Sequence, residues 1–429
     1  MGDELTHPYW RRNLAVCVVG SFTTLVSMTL LLPYLPVYVQ QLGVHDDAAI
    51  ARWSGFAYAA TFLTAALTAP LWGTLSDRFG RKPMLVRASL GMAVATAALG
   101  LAQSAWQLVA LRLLVGLLGG YSSASNVLVA AQTPKQHTAK ALGILATGIM
   151  AGTVVGPLVG GVAPELLGPR PTFFAVAGLI FLAFCGTALL IREDRPARVA
   201  EGRSKPAEPQ HARGLWAGID APGRVVALLA TAGLVMFATV AIEPILTLYV
   251  GQLAPRWGAV SSTAGVVFAV TACGTIISAP RLGRLADRIG YVRVITGCLV
   301  TAAVLALVQA GVSDVIELGV ARFAMGLALG GLLPCVTASL RHAVPDDRVG
   351  RVIGLSVTSQ YAGQVAGPVL GGVVAAHLGV RAVFVLTAAM LLLGLVAVRG
   401  APPRGRPPSS RPTTESARTT LPGRSAEAG

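Results

Sequence analysis

Twelve long apolar runs decide what this chain can fold into. Residues 13–39, 53–72, 84–103, 106–130, 140–163 and 171–191 form one set, and 224–250, 261–280, 293–312, 315–340, 352–376 and 381–399 a second. Each approaches or exceeds the roughly 20 residues a helix needs to cross the hydrocarbon core. The runs are continuous rather than alternating, which excludes a strand-built barrel. Hydrophobic residues reach 54% and charged residues only 12%, against about 25% charge in soluble domains. A disordered chain and an ordinary soluble enzyme are both excluded. The first run is too long for a signal-peptide core and has no A-x-A-like site, so it counts as structure. The expectation is an all-α, multi-pass membrane protein.

The net charge of +15 does not mark a nucleic-acid binder, because the basic residues sit between apolar runs rather than on one face. With the N-terminus placed inside, four of the 34 Lys and Arg fall in outer loops (Arg52, Arg170, Arg256 and Arg381) and two, Arg112 and Arg322, within spans. All the others lie in inner segments. The positive-inside bias therefore predicts both termini in the cytoplasm, with the basic loops facing an anionic bilayer surface. Five cysteines, Cys17, Cys185, Cys273, Cys298 and Cys335, sit in apolar stretches without CxxC spacing. No disulfide framework, metal site or cofactor is expected. The organisation read from these patterns is a six-span half over residues 1–191, a linker over 192–222, a second half over 223–399 and a solvated tail over 400–429.

The two halves repeat at an offset of about 210 residues. Gly73-Thr74-Leu75-Ser76-Asp77-Arg78-Phe79-Gly80 matches Gly283-Arg284-Leu285-Ala286-Asp287-Arg288-Ile289-Gly290, and Arg112 with Gly116 matches Arg322 with Gly326. Gly143, Gly152, Gly156-Pro157 and Gly160-Gly161 map onto Gly354, Gly363, Gly367-Pro368 and Gly371-Gly372. Pro33 and Tyr38 map onto Pro244 and Tyr249. Parallel six-span repeats are the architecture of transporters that rock two halves about a central site.

These residues resemble the major facilitator superfamily, and within it the 12-helix drug:proton antiporters. Gly73-x-Leu75-x-Asp77-Arg78-x-Gly80-Arg81-Lys82 is similar to the family's loop signature between spans two and three. Leu108-x3-Arg112-x3-Gly116 is similar to its fourth-span motif, with Val115 in place of the usual glutamine. The Gly143 to Gly161 series fits its fifth-span antiporter signature, and Pro33-Tyr34-Leu35-Pro36-Val37-Tyr38 its first-span motif. The resemblance implies the major facilitator fold, alternating access and proton-driven export of amphipathic drug-like molecules from a bacterial inner membrane, by a monomer. It implies that Gly73, Asp77, Arg78, Gly80 and Arg81 form a conformational switch. Asp77 would face the start of span eleven near Val349–Val352, where a carboxylate against the helix dipole is worth about 0.3–2 kcal/mol. The span-five glycines would contact the other half; matching spacing in span eleven fits symmetric packing equally well.

Ionisable groups inside spans cost at least about 2.5–3.5 kcal/mol at mid-depth, and Arg112, Glu243 and Arg322 are the clear cases. They are the candidates for proton coupling. Arg112 also admits a structural role, bonded to backbone carbonyls of span one. Glu243 lies about 10 Å below the outer end of span seven and Arg322 at similar depth in span ten. Either they form a permanent pair or they part in one state so that Glu243 can take a proton. The equivalent position in the first half is Leu32, so this acid belongs to the second half alone. For substrate, the resemblance points to spans one, four, seven and ten. Tyr34, Tyr38, Asn126, Glu243 and Met325 are the candidates, with Gln364 from span eleven. A metabolite or sugar exporter is the competing reading; with Asn13 and Asn126 the sole asparagines, the chain is poor in the hydrogen-bonding groups a sugar needs. No H-E-x-x-H, P-loop or paired intramembrane acids suggest an enzyme. The orientation predicts that a tag at Gly429 in intact cells stays hidden until the membrane is permeabilised; labelling from outside would overturn it.

Overall fold

The computed structural model describes residues 9–193, 221–253 and 260–400. The expected linker and tail lie outside these residues apart from their edges, as does Arg256. All regular structure among the described residues is helical. Span one is α1 (Trp10–Leu30) and α2 (Leu35–Gln41), span two α3 (Asp47–Phe79), and span three α4 (Arg81–Leu99). Span four is α5 (Ala105–Leu118) and α6 (Tyr121–Gln132), span five α7 (Lys135–Leu167), and span six α8 (Pro169–Leu190). The second half repeats the pattern. Span seven is α9 (Pro222–Ala241), a 3-10 turn (Glu243–Ile245) and α10 (Leu246–Leu253), and span eight is α11 (Val260–Ile289). Spans nine to twelve are α12 (Tyr291–Gly311), α13 (Val315–Leu329) with α14 (Leu332–Ala343), α15 (Val349–Leu378) and α16 (Val380–Gly400). Ten of these segments are long and apolar enough to cross a membrane. The other two, α4 and α15, are diluted by Arg81, Lys82 and Arg87 and by glycine, serine and glutamine, yet α4 holds the place that span nine holds in the second half, and α15 the place that span five holds in the first.

Local chemistry sets the ends and breaks. Asp46 caps α3 by accepting from the Ala49 amide at 2.8 Å, and Asp314 accepts from Val315 at 2.7 Å at the start of α13. Gly80, Gly168, Gly290 and Gly379, at φ between 84° and 95°, turn spans two, five, eight and eleven into their successors. That conformation favours glycine, and its fourfold recurrence is the duplication seen in backbone form. Spans one and seven break near Pro33 and Pro244, where proline removes a backbone donor.

Between lipid-bathed helices the apolar effect offers little drive, so small residues and backbone contact decide which pairs meet. In the first half span five lies along span one. A Cβ at Gly152 would sit 2.9 Å from the Phe22 carbonyl oxygen, and one at Gly160 would collide with the Leu30 carbonyl. In the second half span eleven lies along span seven, with Gly367 against the Phe237 carbonyl (2.7 Å from a built Cβ) and Gly371 against that of Ala241. The resemblance put the span-five glycines against the other half. Gly152, Gly156 and Gly160 instead face span one of their own half, because their spacing matches its carbonyls; Gly161, one position round the helix, faces Ser261 of span eight.

The halves join through two crossings, span two on eleven and span five on eight. Both close at the face remote from Trp10 and Gly400. There Gly55 meets the Pro368 carbonyl, Gly372 that of Ala51, Gly265 that of Pro157 and Gly161 that of Ser261. The Thr247 hydroxyl also donates to the Pro33 carbonyl at 3.0 Å, and the Ser262 amide to Glu165 at 3.1 Å. Toward the face carrying the chain ends, Gly73, Gly143, Gly283 and Gly354 have no neighbour among the described residues within 4 Å of a built Cβ. The molecule is closed on the far face and parted on the chain-end face. Gly55→Val should add overpacking of about 1–3 kcal/mol to the closed crossing, shifting the distribution roughly 5- to 150-fold toward far-face opening. Gly143→Val should leave it in place. Spin-label distances across the far face read both, and an unmoved Gly55→Val distribution would refute the crossing as the closing contact.

Candidate functional site

The break in span seven places Glu243 in a turn rather than on a regular helix, and this turn packs against α3 of the other half. There the Tyr58 hydroxyl donates to Glu243 Oε2. Tyr58 is buried and stacks edge-on against Phe62 at 5.2 Å. Behind it lies Arg112, 2% exposed, whose Nε donates to the Ala57 carbonyl at 3.3 Å and whose guanidinium lies 6.0 Å from the Tyr58 ring. The carbonyl bonded by Arg112 thus belongs to span two, not span one as the structural alternative had it, because α5 packs on α3. On the other side of Glu243 stands Arg322, also buried, its guanidinium 5.9 Å from the Phe384 ring. Its Nε and Nη2 have no hydrogen-bond partner, and among the described residues no ion pair within 4 Å joins it to Glu243. Two buried arginines therefore flank one carboxylate and one phenol that meet across the half boundary. The apolar reading of span two passed over Tyr58.

Nearer the chain-end face two adjoining cavities, of about 350 Å³ and about 220 Å³, share Met28, Ala65 and Tyr361. The smaller lies between the halves and includes Gln364, Gln360 and Phe62. The larger includes Trp72, Arg87, Tyr121 and Ser122. Its wall is organised at the bend between α5 and α6, where Gly120 has φ 101°. The Arg87 guanidinium lies 3.5 Å over the Trp72 ring and donates to the Gly119 carbonyl at 2.9 Å, while Trp72 Nε1 donates to Leu117 at 2.9 Å. Of the substrate candidates, Gln364 lines this space. Tyr34, Tyr38 and Met325 are buried in packing, Tyr34 bonded to Gln41 and Tyr38 to the Leu99 carbonyl, each at 2.5 Å. Asn126 is exposed and donates to the Ser122 carbonyl at 2.9 Å. Trp72, Arg87 and Tyr361 were not among the sequence candidates; Arg87 was read as a topology charge.

In the loop between spans two and three, Glu193 accepts from the amides of Arg81 at 2.9 Å and Lys82 at 2.7 Å. It satisfies free donors at the start of α4 and places negative charge at the helix dipole's positive end. A Cβ at Gly80 would come within 3.0 Å of that carboxylate. Arg78 lies 5.3 Å over Phe79. Asp77 is exposed, with no hydrogen bond or ion pair among the described residues.

Two six-span halves, closed on one face around a buried ionisable cluster and parted on the other around a cavity, define a secondary transporter. The chain belongs to the major facilitator superfamily, whose family model matches residues 17–260 and 252–425. A relative from Enterobacter lignolyticus, the multidrug resistance protein MdtG, is 41% identical over 90% of this chain and 91% of its own. The protein of the same name from Serratia proteamaculans is 38% identical over 90% and 93%. Among solved structures, a bacterial homologue of the human lysosomal transporter Spinster, described as inward-facing and unoccupied, matches with TM-score 0.72 and 16% identity. It covers 93% of this chain and 98% of its own. The nucleoside transporter NupG matches with TM-score 0.70 at 12% identity, over 90% and 99%. These two speak for the fold.

Asp77→Asn should leave this far-face-closed state as stable as before, since the carboxylate has no partner here to lose. Turnover should fall about 2- to 30-fold, the span of ~0.3–2 kcal/mol for a carboxylate meeting a helix N-terminus in the opposite state. Melting temperature and initial transport rate test the two halves of that statement; equal rates would remove Asp77 from the cycle.

Proposed function

We propose that this protein exports amphipathic, drug-like small molecules across a bacterial inner membrane, exchanging them for protons by alternating access. The single observation that carries the reading is the 38–41% identity, over 90% of the chain, to relatives named for multidrug resistance. The charge bias supports cytoplasmic termini, which makes the far face periplasmic and the state described here open to the cytoplasm. Substrate then reaches the cavity from the cytoplasm, where Met28, Phe62, Trp72 and Tyr361 offer adaptable apolar and aromatic surface. Gln360, Gln364 and Arg87 supply the polar contacts. The protein acts as a monomer, with substrate, protons and the bilayer as its partners.

Glu243 is the proton carrier in this reading. Among the described residues no salt bridge holds it permanently ionised, and it stands where the halves meet and part. When the far face opens it takes a proton from outside; when that face closes it releases the proton toward the cytoplasmic cavity. Each proton supplies about 2.3 kcal/mol per 100 mV of membrane potential, so a typical potential favours export by one to two orders of magnitude. Arg112 and Arg322 keep positive potential on the cluster. Asp77 and its loop latch the cytoplasmic face when it closes. In proteoliposomes, Glu243→Gln should abolish accumulation driven by a pH gradient while preserving downhill exchange of the same drug. Full gradient-driven transport at normal protein level would end the coupling assignment.

A further inference from the structure

Duplication supplies an internal control for the cluster. At the repeat offset Tyr58 of span two corresponds to Phe268 of span eight, and Glu243 to Leu32. Phe268 and Leu32 are both buried in the same apolar cluster on the far side of the molecule. One crossing therefore closes with a phenyl ring and an aliphatic chain, and its pseudo-symmetric twin closes with a phenol and a carboxylate. At this position the fold does not need a phenol and an acid to close. The hydroxyl and the acid have been placed together in one of two otherwise equivalent positions, on opposite halves.

We propose that Tyr58 is the positioning residue that ties the charge of Glu243 to closure of the far face. Its O–H reaches the carboxylate when the halves meet and is withdrawn when they part. This rests on the reading of Glu243 as the proton carrier. The donor comes from α3 and the acceptor from the turn before α10, so parting of the halves breaks the bond and their meeting restores it. A hydroxyl bound to an ionised carboxylate makes a bond roughly twice as strong as one bound to a neutral acid. The bond thus favours the ionised acid in the closed state, offsetting the burial that disfavours its charge, and the carboxyl proton leaves to water in the cavity, whose wall residue Phe62 packs on the Tyr58 ring. Once the far face is open, protonation from outside removes the strong acceptor, and the bond re-forms at full strength only when that proton has left. Among the described residues the groups acting on Glu243 are Tyr58 and Arg322, and Arg112 and Glu243 act on Tyr58. Arg322 rides on the same half as Glu243, so its influence does not depend on whether the halves meet. Tyr58 is the group that does.

The test is the conformational response to pH of the full chain in nanodiscs, read as the distance between labels on noncanonical residues at Gln103 and Gln252 on the far face. In the unsubstituted protein, acidification should raise the far-face-open population. Tyr58→Phe should raise it about tenfold at neutral pH, equivalent to ~1.4 kcal/mol, and flatten the pH response. Phe268→Tyr, the control at the twin crossing, should leave that response in place. A flat response in Glu243→Gln beside a normal one in Tyr58→Phe would overturn this proposal and leave the coupling reading standing. A normal response in both would overturn both. Should Tyr58→Phe not fold, a fluorinated tyrosine at position 58, a stronger donor of the same shape, should move the midpoint to lower pH. An unmoved midpoint would count equally against the proposal.

Discussion

Helices in a bilayer cannot be held together by apolar attraction, because lipid tails are as apolar as leucine. In this protein the substitute is backbone contact. Glycines in spans two, five, eight and eleven meet carbonyl oxygens of the facing helix at distances no side chain would allow. Those contacts cluster near one face and are missing near the other, which is why two halves built on one plan can be joined and yet move. The same device packs span five on one and span eleven on seven, so it builds each half as well as the seam between them.

The seam is also where chemistry and motion share residues. Span seven breaks at Pro244, and the break turns Glu243 out of its own half toward Tyr58. Burying a carboxylate in a regular helix facing its own half would have isolated it from closure. Placing it at the break makes its surroundings depend on which faces are open. Arg322, buried beside it with two nitrogens unpartnered among the described residues, adds positive potential, and among those residues no ion pair neutralises the acid. That arrangement leaves the acid free to exchange one partner for another as the halves rock.

Most of the architecture was legible in the sequence, since helix count and duplication rest on features a single helix expresses: length, apolarity and glycine spacing. The twelve runs fall on the twelve spans, and the breaks follow prolines at matched positions. The functional groups were less legible. Glu243, Arg112 and Arg322 stood out because charge is costly in lipid. Tyr58 did not, since an aromatic ring in an apolar run is ordinary and its partner lies 185 residues away. The one signal available was the loss of a hydroxyl at its repeat counterpart, Phe268. Tyr34 and Tyr38 misled in the opposite sense: tyrosines at a helix break suggest a binding surface, yet their hydroxyls are satisfied locally and their rings fill the packing. Arg87 carried a topological meaning in sequence, and only the fold brings it over Trp72.

Glu193 fixes the mechanics of the loop between spans two and three. Its carboxylate, at the end of span six, binds the first amides of span three, so the loop is pinned to the body of its own half. A pinned loop has no stroke of its own. In the proposed cycle Asp77 travels as a tooth on a rigid lever, and its reach toward span eleven is set by the rocking angle of the half rather than by loop flexibility. One residue inserted between Gly73 and Asp77 would turn that tooth by about 100° around the helix, leaving the lever intact and its engagement lost.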